Sequence, residues 1–180
     1  MDKEVTYAPA DRASRIARYQ GIFLSLMEEE EGREERLKAG IDFKSIQLDE
    51  EVKISYIECG KTAKTIKSDD KPRDQLKLAM ECLSYHWTDE LGPRLYQAKG
   101  IARPPRKITL KYDRKSGQLT DYSISGVETV EGASWIYFTS PWIPIYEKDM
   151  KILDKIFDEA YLYIIGERKE ENLFKQEEAK

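Results

Sequence analysis

The sequence predicts an α+β fold: a mostly antiparallel sheet of about five to six strands with three main helices, in the order α-β-β-β-α-β-β-β-α. Three observations predict it. Apolar residues recur every three or four positions in three stretches, the period of a helix with one buried side. They alternate at period two in the short stretches between, the period of a strand with one face on a core. The strands within each triplet are separated by tight, polar turns, several bearing glycine, which make hairpins and therefore antiparallel neighbours. The pattern leaves open whether the two triplets join into one sheet.

The first helix is expected to start after Asp11, whose carboxylate can accept from the unpaired amides of a first turn. Ile16, Tyr19, Gln20, Phe23, Leu26 and Met27 form its stripe. From residue 28 the chain reads EEEEGREERLK, and residues 28–35 hold six glutamates against Arg33. Glu29 with Arg33 and Glu34 with Lys38 sit four apart with the glutamate first, the better orientation. The helix is therefore expected to run on as a solvated acidic extension, weakened at Gly32 by up to about 1 kcal/mol and stopped at Gly40.

The first strand triplet follows. Residues 41–48 (IDFKSIQL) alternate loosely, while 51–58 (EVKISYIE) put Val52, Ile54 and Tyr56 on one face. Residues 61–67 (KTAKTIK) are short, polar and lysine-bearing, as suits an edge strand, and Gly60 supplies the turn before them. Residues 68–92 read as the second helix, capped by Asp70 or Ser68, with Pro72 in the first turn, where a missing N–H is harmless. Leu76, Ala79, Met80, Leu83, Trp87 and Leu91 mark its buried side, and Gly92-Pro93 stops it. The double proline at 104–105 forces extended backbone. It leads into KITLKY (107–112), the hairpin loop DRKSG (113–117) and the return strand QLTDYSIS (118–125). EGASWIYFTS (131–140) gives a further strand, with Ile136 and Phe138 expected in the core and Trp135 and Tyr137 on the other face. SPWIPIY (140–146) is a bent aromatic connection. The last helix starts near Glu147 and turns Met150, Leu153, Ile156, Phe157, Ala160, Tyr161 and Ile164 inward, up to Gly166. Residues 1–166 form one domain in this reading, and 167–180 a charged tail.

Bulk composition narrows the function. A chain of 180 residues suits a single domain. Its 36% charged content exceeds the usual quarter and implies a densely charged surface. No run of about eighteen apolar residues offers a membrane span, and MDKEVTYAPADRAS lacks the apolar core of a signal peptide, so a cytoplasmic location is expected. The two cysteines, Cys59 and Cys82, make no disulfide framework. Cys82, His86 and Glu90 fall at helical spacing on one side of the second helix, a set zinc could accept. The same side carries Ala79 and Leu83, where a buried cysteine acts as a small hydrophobe. No phosphate-binding loop or nucleophile elbow occurs. No cofactor and no metal are expected.

Charge is distributed unevenly. Residues 92–117 carry eight basic residues (Arg94, Lys99, Arg103, Arg106, Lys107, Lys111, Arg114 and Lys115) against Asp113 alone, a sum of +7 in a chain whose net charge is −4. Alternation puts Lys107, Thr109 and Lys111 on the solvent face of their strand, Arg114 and Lys115 at a hairpin tip, and Arg103 and Arg106 beside the prolines. A phosphate backbone would reward such a cluster through counterion release, and an acidic protein would reward it through on-rate and orientation. The third arrangement is internal, with the basic stretch lying against the acidic helix. Trp142, fixed between prolines 141 and 144, would add a stacking surface where its loop leaves it exposed. The acidic segment, Glu28, Glu29, Glu30, Glu31, Glu34 and Glu35, suits a basic protein.

The leading expectation is a non-catalytic protein-binding module whose partner is a nucleic-acid-handling complex. In charge and size the chain is similar to the small acidic inhibitors of the immunity, anti-restriction and anti-CRISPR types. Direct, sequence-indifferent nucleic-acid binding through residues 94–115 is one alternative. The other rests on element order: helix, three strands, helix, strand is similar to the core of restriction-endonuclease-like nucleases. That resemblance implies magnesium held by Asp42 or Asp49 with Glu51, and Lys53 assisting the attacking water. Period two opposes it, because Glu51 and Lys53 point away from Val52, Ile54 and Tyr56.

Overall fold

The computed structural model describes residues 12–28, 32–85, 105–129 and 135–166. Within them the chain runs α1 (Arg12–Met27), α2 (Arg33–Ala39), β1 (Ile41–Leu48), β2 (Val52–Glu58), β3 (Thr62–Ser68), α3 (Asp74–Tyr85), β4 (Lys107–Tyr112), β5 (Leu119–Thr129), β6 (Trp135–Thr139), β7 (Ile143–Pro144) and α4 (Glu147–Ile164). The α+β class holds. All pairings are antiparallel, and the two triplets join through β1 and β4 into one sheet in the order β3-β2-β1-β4-β5-β6, with β7 continuing beside β5.

The sheet buries one face. Phe43, Ile46, Val52, Ile54, Tyr56, Ile108, Leu110, Tyr122 and Ile124 meet Leu76, Ala79, Met80 and Leu83 of α3 and Ile152, Leu153, Ile156, Phe157 and Ala160 of α4 in a single core. The rings of Phe43 and Phe157 stack at 5.3 Å, which fixes α4 over the sheet. The loose alternation of 41–48 has a physical cause. A bulge at Lys44 inserts one extra residue between Phe43 and Ser45, so Phe43 and Ile46 both face inward although they are three apart. Cys59 and Gly60 take positive φ at the β2–β3 turn, closed by Lys61 N–H donating to Glu58 O at 3.1 Å.

Three expectations are corrected. The acidic segment is not a continuation of α1. Gly32 lies at φ +83°, the left-handed region that interrupts a helix, and starts α2 as a separate helix packed on α4. A Cβ there would come within 2.8 Å of Leu162. The second helix of the expected order starts at Asp74, after Pro72, which is buried and lies in a β-bridge instead of a helical turn. Ser68 and Asp70 close a local turn instead of capping, with Asp70 N–H donating to Ser68 Oγ at 3.1 Å. Leu76, Ala79, Met80 and Leu83 are buried as expected. Asp11, Trp87, Leu91 and the tail 167–180 lie outside the described residues, as do the side chains of Ile16, Trp135, Ile136 and Phe138. Among the described residues, no helix is long and apolar enough to cross a membrane.

Candidate functional site

Because side chains alternate across a strand, the residues between the core positions form a second sheet face, and the register aligns them into rows. One row reads Lys67, Lys53, Gln47, Lys107, Ser125, Thr139 from β3 to β6. At about 4.8 Å per strand step it spans about 24 Å. The adjacent row is Thr65, Ser55, Ser45, Thr109, Ser123, a line of hydroxyls across five strands. Ser55 and Thr65 share a hydrogen bond of 3.0 Å, and Ser125 and Thr139 one of 3.1 Å. The third row pairs Lys111 with Asp121, whose charged atoms approach to 3.7 Å. Among the described residues, the four helices pack on the opposite side of the sheet or on one another, and Lys53, Lys67 and Lys107 make no ion pair.

Two aromatic side chains stand on the outer edge of this face. Tyr137 of β6 is 78% exposed and Trp142 47%. Lys111 Nζ lies 5.6 Å from the centre of the Trp142 ring. The break between β6 and β7 brings Trp142 there. Ser140 is buried at the break, its amide donating to Ile124 O at 2.8 Å and its Oγ accepting from Ile124 N–H at 3.0 Å. The chain then passes Pro141 and Trp142 before pairing again at Ile143.

The basic stretch is thus divided among several tasks. Lys107 and Lys111 lie on the open face. Arg106 turns to Asp49 at 3.3 Å. Arg114 and Lys115 are exposed at the β4–β5 turn. There the Asp113 carboxylate accepts from Ser116 N–H, Ser116 Oγ–H and Lys115 N–H, which holds its pKa below the ordinary value. Arg94, Lys99 and Arg103 lie outside the described residues. Sequence reasoning missed Lys53 and Lys67 as members of the basic surface, because only strand order and register bring them beside Lys107.

Glu28, Glu34 and Glu35 are exposed, and Glu29, Glu30 and Glu31 lie outside the described residues. Glu34 and Glu35 belong to α2 in the helical layer, where Arg33, Arg36 and Lys38 outnumber them. Arg36 is buried against α4, with Nε donating to Asp158 at 2.7 Å and NH2 to Asp154 at 3.1 Å. Among the described residues, no ion pair joins α2 to the basic stretch.

The acids of the nuclease alternative are spread out. Asp42 pairs in register with Ile57 near the start of β1, while Asp49 follows the end of that strand and binds Arg106. Glu51 is exposed in the β1–β2 turn, and Lys53 faces Gln47 and Lys67. Among the described residues, no group of three acidic, histidine or cysteine side chains could hold a metal ion. Of the zinc set, His86 and Glu90 lie outside the described residues. Cys82 is buried, and desolvation pushes its thiol up to about 12, the opposite of an activated nucleophile. Comparison of the chain with protein-family models, with curated proteins and with solved structures returns no match in any of the three.

Proposed function

We propose that this chain is a non-catalytic binding protein that attaches to a nucleic-acid-handling complex and obstructs it, in the manner of small acidic inhibitors. One observation carries the reading. Among the described residues, unpaired lysines line the sheet face that carries no helix, while the exposed carboxylates of Glu34 and Glu35 belong to the helical layer behind it. The lysine face suits an anionic partner, and Glu34, which also pairs with Lys38 at 3.6 Å, and Glu35 offer carboxylates to a basic protein; such complementarity governs on-rate and orientation.

A pull-down at low and high salt tests it, with the intact chain and two charge-reversed variants. A macromolecule retained at low salt and released at high salt is expected. Glu34→Lys with Glu35→Lys should lose a basic protein partner, and Lys53→Glu with Lys107→Glu an anionic one. Retention of nothing at low salt, together with turnover of a substrate by the pure chain, would defeat the proposal. Magnesium-dependent cleavage of DNA or RNA that Glu51→Gln and Lys53→Ala each abolish would favour the nuclease reading in its place.

A further inference from the structure

Resting on the reading of the sheet face as a binding surface, we infer that its anionic occupant is a single strand of nucleic acid, laid across the strands along the row Lys67–Lys53–Lys107. Four observations lead there. The first is cost. Lys53 and Lys67 are direct cross-strand partners, and like charges placed so repel. Among the described residues, no acid pairs with either, so a bound anion is what would relieve the repulsion. The second is the neighbouring line of hydroxyls. The hydrogen-bonded pair Ser55–Thr65 uses one of its two O–H donors and leaves the other for a phosphate oxygen. The third is the aromatic edge. Tyr137 shares the open face with Thr139, and Trp142 reaches it beside Lys111. Basic groove residues with exposed rings at their margin are the elements that hold single strands, charge tracking the backbone and rings stacking on bases. An acidic protein would use the lysines but has no bases to stack on the rings. The fourth is shape. The site is a sheet face about 24 Å across, with no described helix or ribbon projecting from it to enter a duplex groove.

The face is rimmed by acid. Glu51 stands two residues before Lys53, exposed in the β1–β2 turn, and Asp49 is held by Arg106. With the −4 of the whole chain, this keeps the affinity modest and the binding indifferent to sequence. It also gives Glu51 a role opposite to that of a metal ligand: Glu51→Gln should strengthen binding.

Fluorescence anisotropy of the intact chain decides the matter. The probes are oligo-dT and oligo-U of about sixteen nucleotides, a duplex of equal length, and polyglutamate. Both single strands are expected to bind at low salt. The logarithm of the affinity should fall linearly against log salt with a slope of about −2, from three lysines at about −0.7 per phosphate. Lys53→Glu with Lys107→Glu should weaken binding at least about ten-fold and flatten the slope. Tyr137→Ala should weaken it roughly ten-fold and leave the slope unchanged, since stacking releases no counterion. Arg114→Glu with Lys115→Glu, away from the row, should have the smaller effect. Thermal melts establish that each variant is folded, and Lys53→Gln with Lys107→Gln should give the same ranking without reversing charge. Equal or tighter binding of the duplex would overturn the inference. Binding of polyglutamate in preference to either strand would overturn it too while leaving the proposed function standing. Binding of no probe by the folded chain would overturn it outright, and the pull-down would then judge the proposed function by itself.

Discussion

Arg36 is 6% exposed, and its guanidinium serves two carboxylates, Asp158 and Asp154, while lying 5.5 Å from the centre of the Phe157 ring. Removing one partner of a buried pair leaves the other charge uncompensated, so Arg36→Ala is expected to cost about 3–5 kcal/mol in urea unfolding. Burial pushes the Asp158 carboxyl above its ordinary value of 3.8, with Arg36 pulling against the shift. The native chain therefore holds that proton more tightly than the unfolded one does. Stability from this group is greatest below 3.8 and is lost as pH rises through the raised native value. Without Arg36 the native value climbs further, so the unfolding midpoint of Arg36→Ala should recover on acidification toward that window by more than the wild type's does. A midpoint that is unchanged, or equally pH-dependent in both proteins, would show that Arg36 does not fasten α2 to α4.

Individual elements show how a single residue re-aims a segment. The expected long first helix is two: α1 ends at Met27, and Gly32 at φ +83° opens α2, which packs on α4. The outer edge of the sheet is similarly broken in two, and the break is sealed by Ser140, whose Oγ accepts the Ile124 amide proton. Ser140→Ala would leave that buried N–H without its partner, at about 1–3 kcal/mol. Loss of amide-exchange protection at Ile124 is the expected signature. Retained protection there, with unchanged stability, would mean that the edge is fastened elsewhere. The edge matters because β6 carries Tyr137 and the break carries Trp142, so loosening it should weaken the proposed stacking without touching any lysine.

At the scale of the whole molecule, the sheet has a packed side and a side that is open among the described residues. The open side carries a repulsion that folding alone would not select. Lys53→Glu turns the Lys53–Lys67 pair into an attractive one, and cross-strand pairs of that kind contribute about 0.2–1 kcal/mol. The variant should therefore melt slightly higher than the wild type and bind the single strand more weakly. Stability and binding moving in opposite directions would mark Lys53 as a binding residue, whereas a lower melting temperature would return it to an ordinary structural role.

Much of this is legible in the sequence, for local reasons. Val52, Ile54 and Tyr56 alternate, and a strand that alternates buries one side only. Leu153, Ile156, Phe157 and Ala160 recur at helical spacing, and a helix so patterned turns them inward. Alternation likewise places Lys107 and Lys111 on the solvent face, and the prolines around Trp142 mark it as a loop ring. What escapes the sequence depends on partners distant along the chain. Arg36 reads as one more charge in a solvated run, and only packing against Asp154 and Asp158 makes it a buried anchor. Lys53 and Lys67 read as a solvent-facing lysine and an edge lysine. They become one row with Lys107 because β1 pairs with β2 on one side and β4 on the other, in a register that sets Gln47 between Lys53 and Lys107. Periodicity determines which way each side chain points relative to its own strand. Which strands lie side by side, and in what register, is decided by the burial of the whole apolar face at once, since a slip of one residue would turn that face to water.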